Sequence, residues 1–291
     1  MIALFLLRSE KKELFDNPNP EINTKIWYRH IRNLIINSAK NADEIKKQIQ
    51  NLTIISFNYD RSLDYYLRTR LSDYYNEIKE RVFYPYGKLA DDDWDTSYYG
   101  SFERDGFNPH NEDELEKIKK LGQGLRVIGE LDQENKNSQN ENLQKAYNLR
   151  NEISNFEKYC SGIIEDNKPN SVLEDDIKRL KQYKNQENNP DIKTEINFII
   201  EKYQTLLALY ESHKIYFFGF AFHQQNCDLL QLENFKINKE IYWTNYDDSI
   251  SINRKIENIF GVNENNKKMF YPSIKKGVYD ALIHDFKLEF E

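Results

Sequence analysis

The stretch KIYFFGFAFHQQN, residues 214–226, decides the reading of the fold. Residues 214–222 form a β-branched and aromatic run without polar alternation, which predicts a strand buried on both faces, as in a parallel sheet. IYWTN, residues 241–245, is a second such strand. Each precedes a helix-compatible stretch, residues 226–232 and 248–260. Strand, helix, strand, helix implies parallel strands joined by crossovers.

Working toward the N-terminus, LTIISF (52–57) reads as another buried strand, closed by Asn58-Tyr59-Asp60. Asp60 is placed to cap a helix whose apolar stripe is Leu63, Leu67, Leu71, Tyr74 and Ile78. RVFYPYGKL (81–89) is a short strand stopped by Pro85 and Gly87. A polar, aromatic-rich loop follows to about residue 111, then a short strand at LRVIGE (125–130). Residues 22–50 carry helical spacing through Ile26, Trp27, Ile31, Leu34 and Ile35. His30 within this helix reads as a packed histidine and not as a ligand.

QENKNSQNEN (133–142) is a polar break. Beyond it, residues 143–212 are helix-compatible. NQENNP (185–190) divides them, and Pro190 suits the first turn of a new helix. The expected architecture is α/β: one domain over 1–291 built on a Rossmann-like parallel sheet, with a helical insertion over 131–212.

Composition sets outer limits. The 291 residues are 39% hydrophobic and 31% charged, and 20 Tyr with 17 Phe supply apolar bulk that a disordered chain lacks. The formal net charge of −7 offers no dominant basic footprint, so nucleic acid is not an expected partner. The 2 cysteines, Cys160 and Cys227, build neither a disulfide framework nor a zinc module, which fits a reducing cytoplasmic setting and no metal. MIALFLL is too short to span a bilayer and lacks a cleavage site, so no membrane association is expected.

In an open parallel sheet, ligands bind beyond the carboxyl ends of the strands. Three expected strands end there in polar groups: Asn58 and Asp60 after the first, Gly219, His223 and Asn226 after the second, Thr244 and Asn245 at the end of the third. Asn offers donor and acceptor together, Asp accepts from ribose hydroxyls, and Gly219 admits close backbone approach. The competing reading gives Asn58, Asp60, Asn245 and Asp248 to turns and helix caps. No G-x-G-x-x-G follows a first strand, and the first glycine of the chain is Gly87.

Taken in order, SFNYDRSLDYYL, VFYPYGKL, LRVIGE, KIYFFGFAFHQQNCDLL and YWTN resemble the bacterial sirtuin-like domain family. The resemblance covers most of the chain in patches, leaving out 143–200. It implies a Rossmann-like NAD-binding fold and NAD hydrolysis in antiphage defence. It places Asn58 as the catalytic residue at the nicotinamide ribose, with Asp60 supporting its loop. It places Gly219, His223 and Asn226 by the adenosine ribose, and Thr244 and Asn245 near the adenine.

Three departures from the family stand out. The glycine loop that holds the pyrophosphate is missing from this sequence, so the first βα portion is expected to be absent. The catalytic His falls near Tyr84 or Tyr86, and an unperturbed tyrosine titrates near 10, too high for a base at neutral pH. The four-cysteine zinc module of protein deacetylases is missing too, which disfavours deacetylation. The functional expectations are an NAD hydrolase, a non-catalytic module binding NAD or ADP-ribose, or an assembly protein using its helical insertion to form a homo-oligomer or to bind a partner defence protein.

Overall fold

The computed structural model describes residues 26–58, 62–89, 112–122, 125, 148, 169–220, 222–234, 239–263 and 266–286. The chain divides into two compact units, Met1–Leu131 with Leu288–Glu291, and Asp132–Lys287. The architecture is mixed α/β, mostly helical, with short parallel sheets.

In the first unit, helices α1 (Trp27–Asn37) and α2 (Ala42–Gln50) replace the single helix expected over 22–50. The division lies at Asn41. Its side chain accepts from Glu44 N at 2.9 Å, and the Glu44 carboxylate accepts from Lys40 N at 2.6 Å, a nearly reciprocal cap that starts a new helix. Strand β1 (Ile54–Ile55) is followed by α3 (Ser62–Arg70), a 3₁₀ turn (Ser72–Tyr74), α4 (Tyr75–Lys79) and β2 (Val82–Phe83). The stripe from Leu63 to Ile78 therefore spans two helices and a break at Leu71, yet Leu63, Leu67, Leu71 and Ile78 are all buried in one core with Ile31, Ile35 and Ile49. Strands β1 and β2 pair in parallel, Ile54 against Val82 and Ile55 against Phe83. Helix α5 (Glu112–Gly122) was not expected from the sequence. Of LRVIGE only Leu125 is described, in an isolated antiparallel bridge to Gly87.

The second unit holds a helical hairpin, α6 (Pro169–Gln186) and α7 (Pro190–Glu211). Pro190 opens α7 as expected. Ahead of it, Glu187 Oε1 accepts from Asn188 N at 2.8 Å and Asn189 N at 2.9 Å, which fixes the tight turn. Val172, Leu173, Ile177 and Leu180 face Ile192, Ile196, Ile200, Tyr203 and Leu206 in one buried cluster. The far end of α7 is held by Lys239, whose ammonium donates to Tyr210 O at 2.8 Å and to Ser212 O, satisfying terminal helix carbonyls.

Strands β3 (Lys214–Phe217), β4 (Glu240–Asn245) and β5 (Phe270–Ile274) form a parallel sheet in the order β3-β4-β5. Helices α8 (Gln224–Leu229) and α9 (Ile250–Ile259) occupy the two connections, and α10 (Val278–His284) follows β5. Strand β3 is shorter than the expected 214–222, because Gly219 turns the backbone to φ 61°. Strand β5 escaped the sequence reading because Pro272 interrupts it. Among the described strands β5 pairs on one side only, and an edge tolerates a missing N–H. On one face Phe217 packs against Phe222, with ring centroids 4.9 Å apart, and Phe260 packs near Phe270. On the other face Tyr216, Tyr242 and Tyr271 stack across the three strands, 4.5 Å from ring to ring, and Phe286 closes over them.

Ile196 is fully buried between the hairpin helices. Ile196→Ala is expected to cost about 2–5 kcal/mol. Urea unfolding followed by circular dichroism should show a lower midpoint at an unchanged m-value.

Candidate functional site

At the carboxyl edge of β3-β4-β5, each strand leads into a left-handed residue. Gly219 (φ 61°) and Phe222 (φ 51°) follow β3, Asp248 (φ 52°) follows β4, and Lys275 (φ 59°) follows β5. Non-glycine residues there are strained and need surrounding contacts to hold them. Asn245 supplies many of those contacts. Its Oδ1 accepts from Ser249 N at 2.9 Å, and its Nδ2 donates to Ser249 O at 2.9 Å and Asn253 Oδ1 at 3.1 Å. Its backbone carbonyl accepts from Asp248 N at 3.2 Å and Lys275 N at 3.1 Å. One residue therefore joins β4, the turn after it, α9 and the end of β5.

Thr244 performs a similar task toward β3. Its Oγ1 accepts from Gly219 N at 2.9 Å, fixing the spacing of the two strand ends. A Cβ at Gly219 would meet nothing within 4 Å, so the space above this backbone is open. His223 is the exposed N-cap of α8, and its side chain makes no cap hydrogen bond. Asn226 is half-buried in α8, with its backbone N donating to His223 O. After β4, Tyr246 (70%) and Ile250 (67%) are exposed, and Asp248 pairs with Lys275 at 3.4 Å. An open backbone, an imidazole, an exposed aromatic ring and a paired ammonium and carboxylate suit a polar ligand that also carries a flat ring.

The sequence-derived residues thus separate into groups. Gly219 and Thr244 are brought into contact, and Asn245 adjoins them with its amide engaged by the protein in the turn-and-cap role. Asn58 belongs to the other sheet and the other unit. It is exposed, and its backbone N donates to Ser56 Oγ at 3.3 Å. Asp60 lies outside the described residues. Tyr84 and Tyr86, where the resemblance implies a histidine, are both buried, at 5% and 3% exposure. Tyr86 packs edge-on against Phe57 at 5.5 Å. Lys88 lies 4.9 Å over the Tyr84 ring and is hydrogen-bonded to the buried Asp64 carboxylate.

Asp248–Lys275 and Asp64–Lys88 went unnoticed in the sequence. Their members are far apart in the chain, and a solvated charge looks the same as a paired one there. Burial, with a smaller contribution from the Asp228 charge, pushes the Cys227 thiol up to about 11, so it is no ready nucleophile or metal ligand. Among the described residues, no group of three His, Cys, Asp or Glu could hold a metal ion, and no helix is long and apolar enough to cross a membrane. The chain matches no family model, and neither the curated proteins nor the solved structures contain a significant match to it.

Two outcomes follow from this edge. Asn245→Ala strands the Ser249 N–H and empties a buried site, so it is expected to cost about 1–3 kcal/mol per stranded group, read as a lower melting temperature. The second concerns pH. Asp285 accepts from Lys276 and from the buried Ser273 hydroxyl, and these bonds hold its carboxyl below the ordinary 3.8. A depressed carboxyl contributes stability that is complete above 3.8 and is lost as pH falls through the lower folded value. The melting-temperature gap between wild type and Asp285→Asn should therefore be open at neutral pH and close in acid.

Proposed function

We propose that this chain is a sirtuin-like NAD-binding protein that receives the adenosine part of NAD or ADP-ribose at the carboxyl edge of β3-β4-β5. The observation that carries the reading is the concentration of left-handed residues at that edge around Gly219, whose open backbone adjoins the strand-end contact to Thr244. Strained turns fixed by their surroundings are a recurrent property of ligand sites. The β3-α8-β4-α9-β5 run, with each strand added beside the last, is also the unit from which a Rossmann-like sheet is built. NAD hydrolysis in bacterial antiphage defence is the activity the resemblance implies, and the resemblance gives Asn58 the catalytic role.

A second reading, a non-catalytic nucleotide module, is favoured by one observation. Tyr84 and Tyr86, where the family has its base, are buried and packed against Phe57 and Lys88, which removes them from proton transfer.

One experiment addresses both readings. Millimolar NAD or ADP-ribose should raise the melting temperature, since a ligand at a hundredfold excess over Kd stabilises by about 2.7 kcal/mol. Nicotinamide release, abolished by Asn58→Ala, would establish hydrolysis. A thermal shift without release would establish the non-catalytic module. No shift with either nucleotide rejects the proposal.

A further inference from the structure

In the first unit, the Asp64 carboxylate is buried. Its side chain is 6% exposed, and burying a carboxylate is unfavourable unless it is paired. Its partner, Lys88, comes from a different strand end and is itself only 20% exposed. Asp64 stands in the first turn of α3, the helix that follows β1 and Asn58. Lys88 stands immediately after the Tyr84–Gly87 turn that follows β2, where Gly87 N donates to Tyr84 O at 2.7 Å and Gly87 takes φ 71°. The ion pair therefore ties the connection leaving β1 to the connection leaving β2. A second link runs alongside it, the edge-on contact of Phe57 with Tyr86. The paired strands supply only two register positions, Ile54 with Val82 and Ile55 with Phe83, which is little to fix the loops beyond them.

We propose that Asp64 and Lys88 are positioning residues that hold the Asn58-bearing end of β1 at a fixed spacing from the Tyr84–Gly87 turn. Lys88 is oriented on both sides, by the carboxylate and by the Tyr84 ring beneath its ammonium. Removing its charge takes away the ion-pair link between the turn and α3, which runs beside the Phe57–Tyr86 contact. That this spacing serves ligand binding rests on the nucleotide reading above; the tether itself does not.

The test uses the full chain. Lys88→Met alone leaves a buried carboxylate without its ammonium, which is strongly destabilising, so the double variant Asp64→Asn/Lys88→Met, neutral at both positions, is the main probe, with Lys88→Arg as the charge-preserving control. Amide hydrogen exchange without ligand is expected to speed up at least tenfold at Phe57, Asn58, Tyr86 and Gly87 in the double variant. It should stay unchanged in α1 and α2, and Lys88→Arg should restore the wild-type rates. Unchanged exchange at those four amides in the folded double variant overturns the tether. An equal increase in α1 and α2 also overturns it, because that marks a general loss of stability. NAD titration then addresses the role in binding. An affinity at least tenfold weaker in the double variant, restored by Lys88→Arg, supports it, and an affinity equal to wild type overturns it. If wild type binds no NAD at millimolar concentration, the nucleotide reading and the role in binding fall together, while the exchange rates still decide the tether.

Discussion

The buried amide of Asn245 is the interaction on which the carboxyl edge of the larger sheet depends. At 1% exposure the side chain accepts from Ser249 N at the start of α9 and bonds the Asn253 side chain, while the backbone carbonyl of the same residue accepts from Asp248 N and Lys275 N. A single hydrogen bond of this kind contributes about 1 kcal/mol net, but an unmade one in a buried setting costs more. Its position on the central strand β4 lets one residue, through side chain and backbone together, govern two neighbouring connections. Thr244, one residue earlier, points to the opposite face and governs the third through Gly219. Consecutive residues on a strand face opposite ways, and this alternation is what allows two adjacent polar side chains to serve different neighbours.

The left-handed residues of the edge are tolerable because the sheet beneath them is packed on both faces. Phe222, a bulky residue at φ 51°, is 1% exposed and wedged against Phe217 and Phe220, at 4.9 and 4.8 Å between rings. The stacked tyrosines on the opposite face resist sliding of one strand past another. Such a platform fixes the open backbone at Gly219.

The first unit solves a comparable problem with fewer strand bonds. Its two-residue strands fix little on their own, and the region beyond them is organised by side chains, through Phe57–Tyr86 and Asp64–Lys88. The same packing buries Tyr84 and Tyr86. A phenol enclosed in this way contributes to the cohesion of the turn.

Much of the local structure was legible in the chain itself. The apolar stripes placed the core faces of α1, α3 and α7, Pro190 marked the start of α7, and the runs at 214 and 241 marked parallel strands, because side-chain period and proline geometry are properties of sequence. Of the candidate site, Gly219 and Thr244 were legible as strand-end groups. Their contact was not, since it depends on the register of β3 against β4. Strand β5 was hidden by Pro272, because only its place at the edge of the sheet makes a proline acceptable there. The breaks at Asn41 and Leu71 were hidden for another reason: an apolar stripe persists across two helices when both face one core. The sequence by itself determined the apolar faces, the hairpin helix opened by Pro190 and the strands at 214 and 241. Only the tertiary structure decided that Asn245 is a hub and that Asp64 meets Lys88, because a polar side chain takes its role from partners that the fold brings to it from elsewhere in the chain.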